Sequence, residues 1–138
     1  MYKVNGLPHF VDIHGQNFAR AQTLPQNASA DGNGGGIELS GINGAVEAVA
    51  RVNTAVTIAN AATLTIKLQH SADGSSWSDL GTVYTLTASG GNGALAAGTE
   101  LGRFALPSTV RRFVKAVITT TDAAAAGKVD VIPAYLPR

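Results

Sequence analysis

The feature that most constrains this chain is a strict two-residue alternation that starts at Val46. Even positions read Val46, Ala48, Ala50, Val52, Thr54, Val56 and Ile58. Odd positions read Glu47, Val49, Arg51, Asn53, Ala55 and Thr57, and they carry both charges of the stretch. Side chains alternate across a strand, so this is one long strand with an apolar face and a wet face. Ala45–Val52 is rich in helix formers, but the alternation continues past Asn53-Thr54 into β-branched residues, which excludes a helix there.

The same period returns downstream. Leu64, Ile66 and Leu68 point one way, and Thr63, Thr65, Lys67 and Gln69 the other. That strand runs into Ser71-Ala-Asp-Gly-Ser-Ser-Trp77, where Asp73-Gly74 marks a turn because glycine accepts positive φ. Val83 to Leu86 form the returning strand of a hairpin, with Trp77 beside its turn. Leu101–Leu106 is a short strand ended by Pro107. Arg112, Val114, Ala116, Ile118 and Thr120 share one face of a long strand, and Phe113, Lys115, Val117 and Thr119 the other. Ala123–Gly127 is a small-residue turn. Val129 and Val131 lie on the last strand, which Pro133 places at an edge or an end. About seven to nine short strands joined by Gly/Asn/Asp turns, with no helix, make an all-β sandwich or barrel. A jelly-roll-like β-sandwich is the preferred topology, and the Cys–Trp–Cys signature of immunoglobulin domains is absent.

Residues 1–35 read differently. Leu7, Phe10, Val11, Ile13, Phe18 and Leu24 are scattered among Pro8, Pro25 and many Asn, Gln and Ala residues, without a sustained period. They end in Asp31-Gly-Asn-Gly-Gly-Gly36. The expectation is an extended N-terminal arm with a Gly-rich hinge over 1–35 and a sandwich domain over 36–138. Such an arm would dock on a neighbouring subunit, the bland alternative being one added edge strand.

Composition narrows the function. A chain of 138 residues argues for one domain. Cysteine is absent, which removes thiolate metal sites and cysteine nucleophiles. The formal net charge is +1, too balanced for the concentrated basic patch that nucleic acid requires. Charged residues are 14% of the chain, well below the roughly one-quarter of ordinary domains, and the neutral surface this leaves suits packing against partners. No signal peptide and no run of about 20 apolar residues is seen, so a soluble protein made in a cytoplasm, with no membrane partner, is expected.

Several clusters contain the residue types of active sites. His9, Asp12 and His14 suggest a metal, but on a strand His9 points away from the other two. Gly32–Gly36 suggests a phosphate cradle, but Ile37-Glu38-Leu39 follows as a strand, where a cradle needs a helix N-terminus. His70, Ser71 and Asp73 are the types of a hydrolase triad without a nucleophile-elbow motif. Asp73, Ser75, Ser78 and Asp79 offer oxygen to Ca²⁺ but depart from the EF-hand pattern, and a turn held by Asp and Ser side chains is the simpler account. Arg111-Arg112 with Phe113 and Lys115 is the densest basic cluster, but the pleat divides it between two faces. Trp77 is the only tryptophan, either a core anchor, an interface residue or a sugar platform. No catalytic residue, cofactor or metal site is therefore assigned, and the chain is not read as an enzyme.

At Leu68-Gln-His-Ser-Ala-Asp-Gly-Ser-Ser-Trp77, Gly102-Arg-Phe-Ala-Leu-Pro-Ser-Thr-Val-Arg-Arg-Phe-Val-Lys115 and Ala124-Ala-Ala-Gly-Lys-Val-Asp-Val131, the chain resembles the small capsid decoration or cement proteins of tailed bacteriophages. The shared plan is a strand ending in a Ser/Asp-Gly turn, a Gly/Ala loop, a Leu-Pro segment before Arg-Phe-Val, and a closing Gly-Lys-Val strand. It covers residues 36–132. The resemblance implies a jelly roll, self-association, and binding to the major capsid protein where its subunits meet; the sparse charge and the edge that Pro133 suggests make that self-association a homodimer or trimer. It implies a virion location on the capsid surface and carries no catalytic residues. The candidate capsid or oligomer contacts are Leu7, Phe10, Phe18, Trp77, Arg111 and Phe113. The rival expectation is a receptor- or carbohydrate-binding module of a phage tail or surface appendage, centred on Trp77.

Overall fold

The computed structural model describes residues 3–4, 7–8, 11–12, 17–38, 46–107 and 109–135. Among these run β1 (Lys3–Val4), β2 (Leu7–Pro8), β3 (Val11–Asp12), β4 (Ala19–Thr23), β5 (Ala28–Asp31), β6 (Ile37–Glu38), β7 (Val46–Thr57), β8 (Thr63–Ser71), β9 (Ser78–Thr87), β10 (Ala94–Leu95), β11 (Glu100–Ala105), β12 (Phe113–Thr120) and β13 (Ala126–Tyr135), and no helix. β1 pairs with β2 by itself. The other strands form two antiparallel sheets. In the first, β7 lies between β13 and the edge pieces β10 and β11, and β13 continues to β4 and β3. In the second, β12 lies between β8 and the pieces β5 and β6, and β9 pairs on the far side of β8.

Taken in chain order, β4, β5, β7, β8, β9, β11, β12 and β13 give the topology its identity. The first sheet sets the first, last, third and sixth of these side by side. The second sets the second, seventh, fourth and fifth. Consecutive strands thus cross repeatedly from one sheet to the other. This is the jelly-roll arrangement of two interlocked Greek keys.

The alternation read from the sequence supplies the core. Val46, Ala48, Ala50, Val52 and Val56 of β7 are buried against Leu64, Ile66 and Leu68 of β8 and Val114, Ala116 and Ile118 of β12. Each fully buried Val, Leu or Ile contributes about 1.5–3 kcal/mol by leaving water. Thr54, on the same phase, is exposed, and the β7–β13 register shifts beside it between Lys128 and Val129. Val49 departs from its wet-face expectation. It lies opposite Ile132 in register and is buried with Ile132 and Ala134 in a small outward cluster. In β12 the pleat begins at Phe113, so Arg112 does not share the inner face with Val114 but sits exposed before the strand.

The N-terminal boundary expected at residue 35 is corrected by the pairing. β4 bonds to β13, with Lys128 opposite Thr23 and Val131 opposite Ala19. β5 bonds to β12, with Val117 opposite Asp31 and Thr120 opposite Ala28. Phe18 and Leu24 are buried in the main core. Residues 17–35 are therefore the first two strands of the jelly roll and their connections. The apolar signal was weak because each strand is short, and Ala21, at φ 49, interrupts the alternation where the β4–β13 register shifts. The Asp130 carboxylate, itself buried, accepts the Ala21 N–H at 2.7 Å and fixes that irregularity. Arg51 reaches the same carboxylate at 3.5 Å.

The glycine run is likewise built into the sandwich. Gly32 N–H donates to Ala116 O at 2.8 Å and Gly34 N–H to Phe18 O at 3.0 Å. A Cβ at Gly34 would overlap the Asn17 carbonyl. Asn33 copies a strand pairing with its side chain, accepting from Arg20 N at 2.9 Å and donating to Arg20 O at 2.7 Å. Glycine is needed here for close backbone approach, where the sequence had suggested a hinge.

Pro133 is not at an edge. β13 is a central strand with β7 on one side and β3 and β4 on the other. Val46 O accepts from Leu106 N, and Val52 bonds Thr99 and Gly98, so even residues of β7 turn their peptide groups away from β13. Pro133 lies opposite Ala48 and thus faces a partner that offers it no hydrogen bond. Its missing N–H points to the other side, between the Val131–Ala19 and Ala134–Asp12 pairings.

Candidate interaction face

Jelly-roll connections alternate between the two ends of the sandwich. The β8–β9 turn and the described parts of the β5–β7 and β11–β12 connections therefore meet at one end. Trp77, Arg111 and Phe113 lie there.

The turn is organised by one buried hydroxyl. Ser71 Oγ donates to Asp73 Oδ1 at 2.8 Å and accepts from Gly74 N–H at 2.9 Å. Asp73 Oδ1 accepts further from Ser75 N–H at 2.8 Å and Ser76 N–H at 3.0 Å. These donors, the backbone N–H of Ser76 first, hold the Asp73 carboxyl down at about 2. Gly74, at φ 79, closes the turn. The Asp/Ser turn expected from the sequence is thus present. Asp73 and Ser71 serve each other, and His70 accepts from Arg111 N–H through Nδ1 at 3.2 Å, so these three residues do not form a triad. Asp79 is held by Gln69 at 2.9 Å and Lys67 at 3.2 Å on the strand flank. Among the described residues no group of three or more His, Cys, Asp or Glu could hold a metal ion.

Next to this turn two half-buried aromatic rings are braced by cations. Lys115 Nζ lies 4.7 Å from the centre of the Trp77 ring and 3.0 Å from Asp31 Oδ2. Gly36 backs onto the ring edge, where an added Cβ would stand 2.9 Å from Cη2. Arg112 lies 5.2 Å above the Phe113 ring and pairs with Glu38 Oε1 at 2.9 Å. Gly74 lies against the Phe113 ring, with an added Cβ 3.8 Å away. A cation over an exposed ring is worth about 0.5–1 kcal/mol, and more where water is excluded. The exposed ion pairs contribute about 0–1 kcal/mol each. Their effect is mainly to fix the orientation of the rings. Arg111 is exposed, and no carboxylate pairs with it among the described residues.

Of the expected contact residues, Trp77, Arg111 and Phe113 come together at this end. Phe18 does not belong with them: its side chain is 0% exposed in the core, so it cannot meet a partner. Leu7 lies on β2, paired with Val4. Phe10 lies outside the described residues, as do His9 and His14, while Asp12 pairs with Ala134 on β3. The sequence reading missed Lys115 over Trp77 and Gly36 behind it. Lys115 was legible only as a neighbour of Phe113 on the same face. Nothing in the text of the sequence links Gly36 to Trp77.

A family model described as Bbp16 matches residues 24–132, and the chain belongs to that family. The match begins at Leu24, inside the segment read from sequence as an arm. No curated protein matches the chain.

Proposed function

We propose that this member of the Bbp16 family is a structural virion protein, not an enzyme. In this reading it binds the outer surface of a bacteriophage capsid and stabilises it by bridging major capsid subunits. The observation that carries the reading is the braced pair Trp77 and Phe113, with Arg111 beside it, at one end of a jelly roll. Half-buried aromatics with a neighbouring arginine are the residues that dominate interface energies. Their cationic braces fix them before contact, which lowers the entropy lost on docking. Many such small contacts, multiplied by capsid symmetry, resist internal pressure through avidity. The resemblance to capsid cement proteins supports the same reading and adds self-association; of the two grounds for a dimer or trimer, the low charge stands, and the edge expected at Pro133 does not. No nucleic acid and no membrane enters it.

The test is reconstitution on undecorated heads of the phage that carries the protein. Wild-type protein should bind in hundreds of copies and raise the temperature at which heads rupture. Trp77→Ala and Phe113→Ala should each weaken binding at least tenfold while the domain stays folded. Copy numbers of only a few per particle, or binding to surface glycans instead, would defeat the proposal.

A further inference from the structure

We propose that His70 is a proton-sensitive latch on the segment that carries Arg111 and leads into Arg112 and Phe113. It deepens the reading above, and rests on that reading only for what the face binds.

The connection between β11 and β12 is held at three described points. Leu106 N–H donates to Val46 O at 3.1 Å, and Val110 N–H donates to Pro107 O at 3.1 Å inside the loop. Leu106 and Val110 are both buried in the core. Beyond Val110 the chain turns outward, and there Arg111 N–H donates to His70 Nδ1 at 3.2 Å. That bond requires a neutral imidazole with its proton on Nε2. A second proton goes to Nδ1 and sets one donor against another. It also places a positive charge beside the Arg111 guanidinium. Burial, and then the Arg111 charge, already lower the His70 pKa below the ordinary 6.5.

No carboxylate is placed to compensate: the cross-strand neighbours of His70, Val114 and Ser78, carry no charge, and the charge acting on the imidazole is that of Arg111. On β6, Glu38 stands opposite Phe113 and therefore on the other face of the sheet, where it pairs with Arg112 at 2.9 Å. From the turn comes Asp73, whose Oδ1 is already shared by Ser71, Ser75 and Ser76. On β9, Asp79 stands opposite Gln69 and so also lies on the other face, held there by Gln69 and Lys67. Protonation therefore costs the latch its acceptor and gains His70 no new carboxylate. The sign follows. A histidine with a depressed folded pKa contributes stability above 6.5, and the contribution is lost as pH falls through the folded value. The latch is closed at neutral pH and open in acid. Opening frees the Arg111 backbone, while buried Leu106 and Val110 hold the chain before it and the Arg112–Glu38 pair holds the chain after it.

NMR on the intact chain tests this. Solvent exchange of the Arg111 amide, corrected for intrinsic rate, should rise at least tenfold between pH 7.5 and pH 5.0. Its midpoint should coincide with the His70 titration, while the Ile118 amide stays protected. His70→Asn keeps an acceptor at the same place and cannot be protonated, so its Arg111 amide should be equally protected at both pH values. His70→Phe removes the acceptor and should leave Arg111 open at both. An Arg111 amide that stays protected after His70 has titrated overturns the proposal. So does a His70→Asn variant that shows the wild-type pH response. Binding to undecorated heads is read separately: loss at pH 5.0 in wild type but not in His70→Asn ties the latch to the face. A latch that opens without changing binding stands by itself, and removes Arg111 from the proposed docking surface.

Discussion

Replacing Phe18 by alanine asks directly whether the N-terminal third belongs to the sandwich. The ring is 0% exposed and lies in the core with Ala19, Leu24 and the inward residues of β7, β12 and β13. Removing a buried phenyl ring costs about 3–5 kcal/mol, because the cavity left behind closes only in part. For a chain of 138 residues, 1 kcal/mol corresponds to roughly 3–5 °C in melting temperature. Phe18→Ala should therefore melt about 10–20 °C below the wild type. Ser29→Ala is the control from the same segment. Ser29 is exposed and its hydroxyl meets Thr119 Oγ1 at 2.7 Å, so water replaces the lost partner and the change stays within about 1 kcal/mol. Urea unfolding followed by Trp77 fluorescence gives the free-energy change of each variant, with unchanged m-values required for the comparison, and thermal unfolding followed by far-UV circular dichroism gives the temperature shift. Deleting residues 1–35 removes β4 and β5 together and should abolish cooperative folding. A Phe18→Ala variant within about 1 kcal/mol of wild type, or a truncated chain that still melts cooperatively, would refute the placement.

Three further outcomes follow from single contacts. Gly34→Ala should destabilise the fold by about 1–3 kcal/mol, because its methyl group meets the Asn17 carbonyl; a neutral effect in a urea titration would contradict the close approach. Asp130→Ala removes the acceptor of the Ala21 N–H and the partner of Arg51, and should cost about 2–3 kcal/mol in the same assay, with increased exchange of the Ala21 amide. The Asp73 turn contributes its full stability above the ordinary carboxylate value of 3.8 and loses it as pH falls through about 2, so the Ser75 and Ser76 amide shifts should titrate near 2 and not near 3.8.

The fold was legible where strands are long and one face is buried. In β7, β8 and β12 the period of two gave the buried residues almost one for one, since a one-residue slip would turn a whole row of Val, Leu and Ile to water. It was illegible where short strands borrow their hydrogen bonds from longer ones. β4 buries Ala19 and is flanked by buried Phe18 and Leu24, but β4 and β5 expose most of their other side chains, so the segment looks like a polar arm. Pro133 misled for a different reason. Proline is excluded from a central strand only when its amide must donate, and alternate residues of an antiparallel strand face different neighbours. Opposite Ala48, the missing N–H falls where β7 asks for nothing.

The face at the end of the sandwich was legible as residues and not as a place. Gly36, Trp77 and Lys115 are far apart in sequence, and only the jelly-roll crossings bring their connections to one end. The opposite end receives the other connections, residues 24–27, 58–62, 88–99 and 121–125. Those loops hold a single charged residue, Asp122, and are tied to one another by backbone groups. Asn27 N–H donates to Asp122 O at 3.0 Å, Ala59 N–H to Asp122 Oδ2 at 2.9 Å, and Gly91 N–H to Asn60 Oδ1 at 3.2 Å. The Ala124 and Ala59 amides lower the Asp122 pKa and keep that one charge occupied. Low overall charge, which the sequence presented as a property of the whole surface, is thus concentrated at one end. The other end holds Arg111, Arg112, Glu38, Lys115 and Asp31 around two rings. A partner that approaches the neutral end meets hydrogen bonds already made within the protein. One that approaches the aromatic end meets oriented rings and an arginine without an ion pair among the described residues. If the proposed docking holds, charge reversal at Arg111 should weaken binding to undecorated heads, while Asn60→Asp at the neutral end should leave it unchanged. Equal losses from both substitutions would place the contact elsewhere.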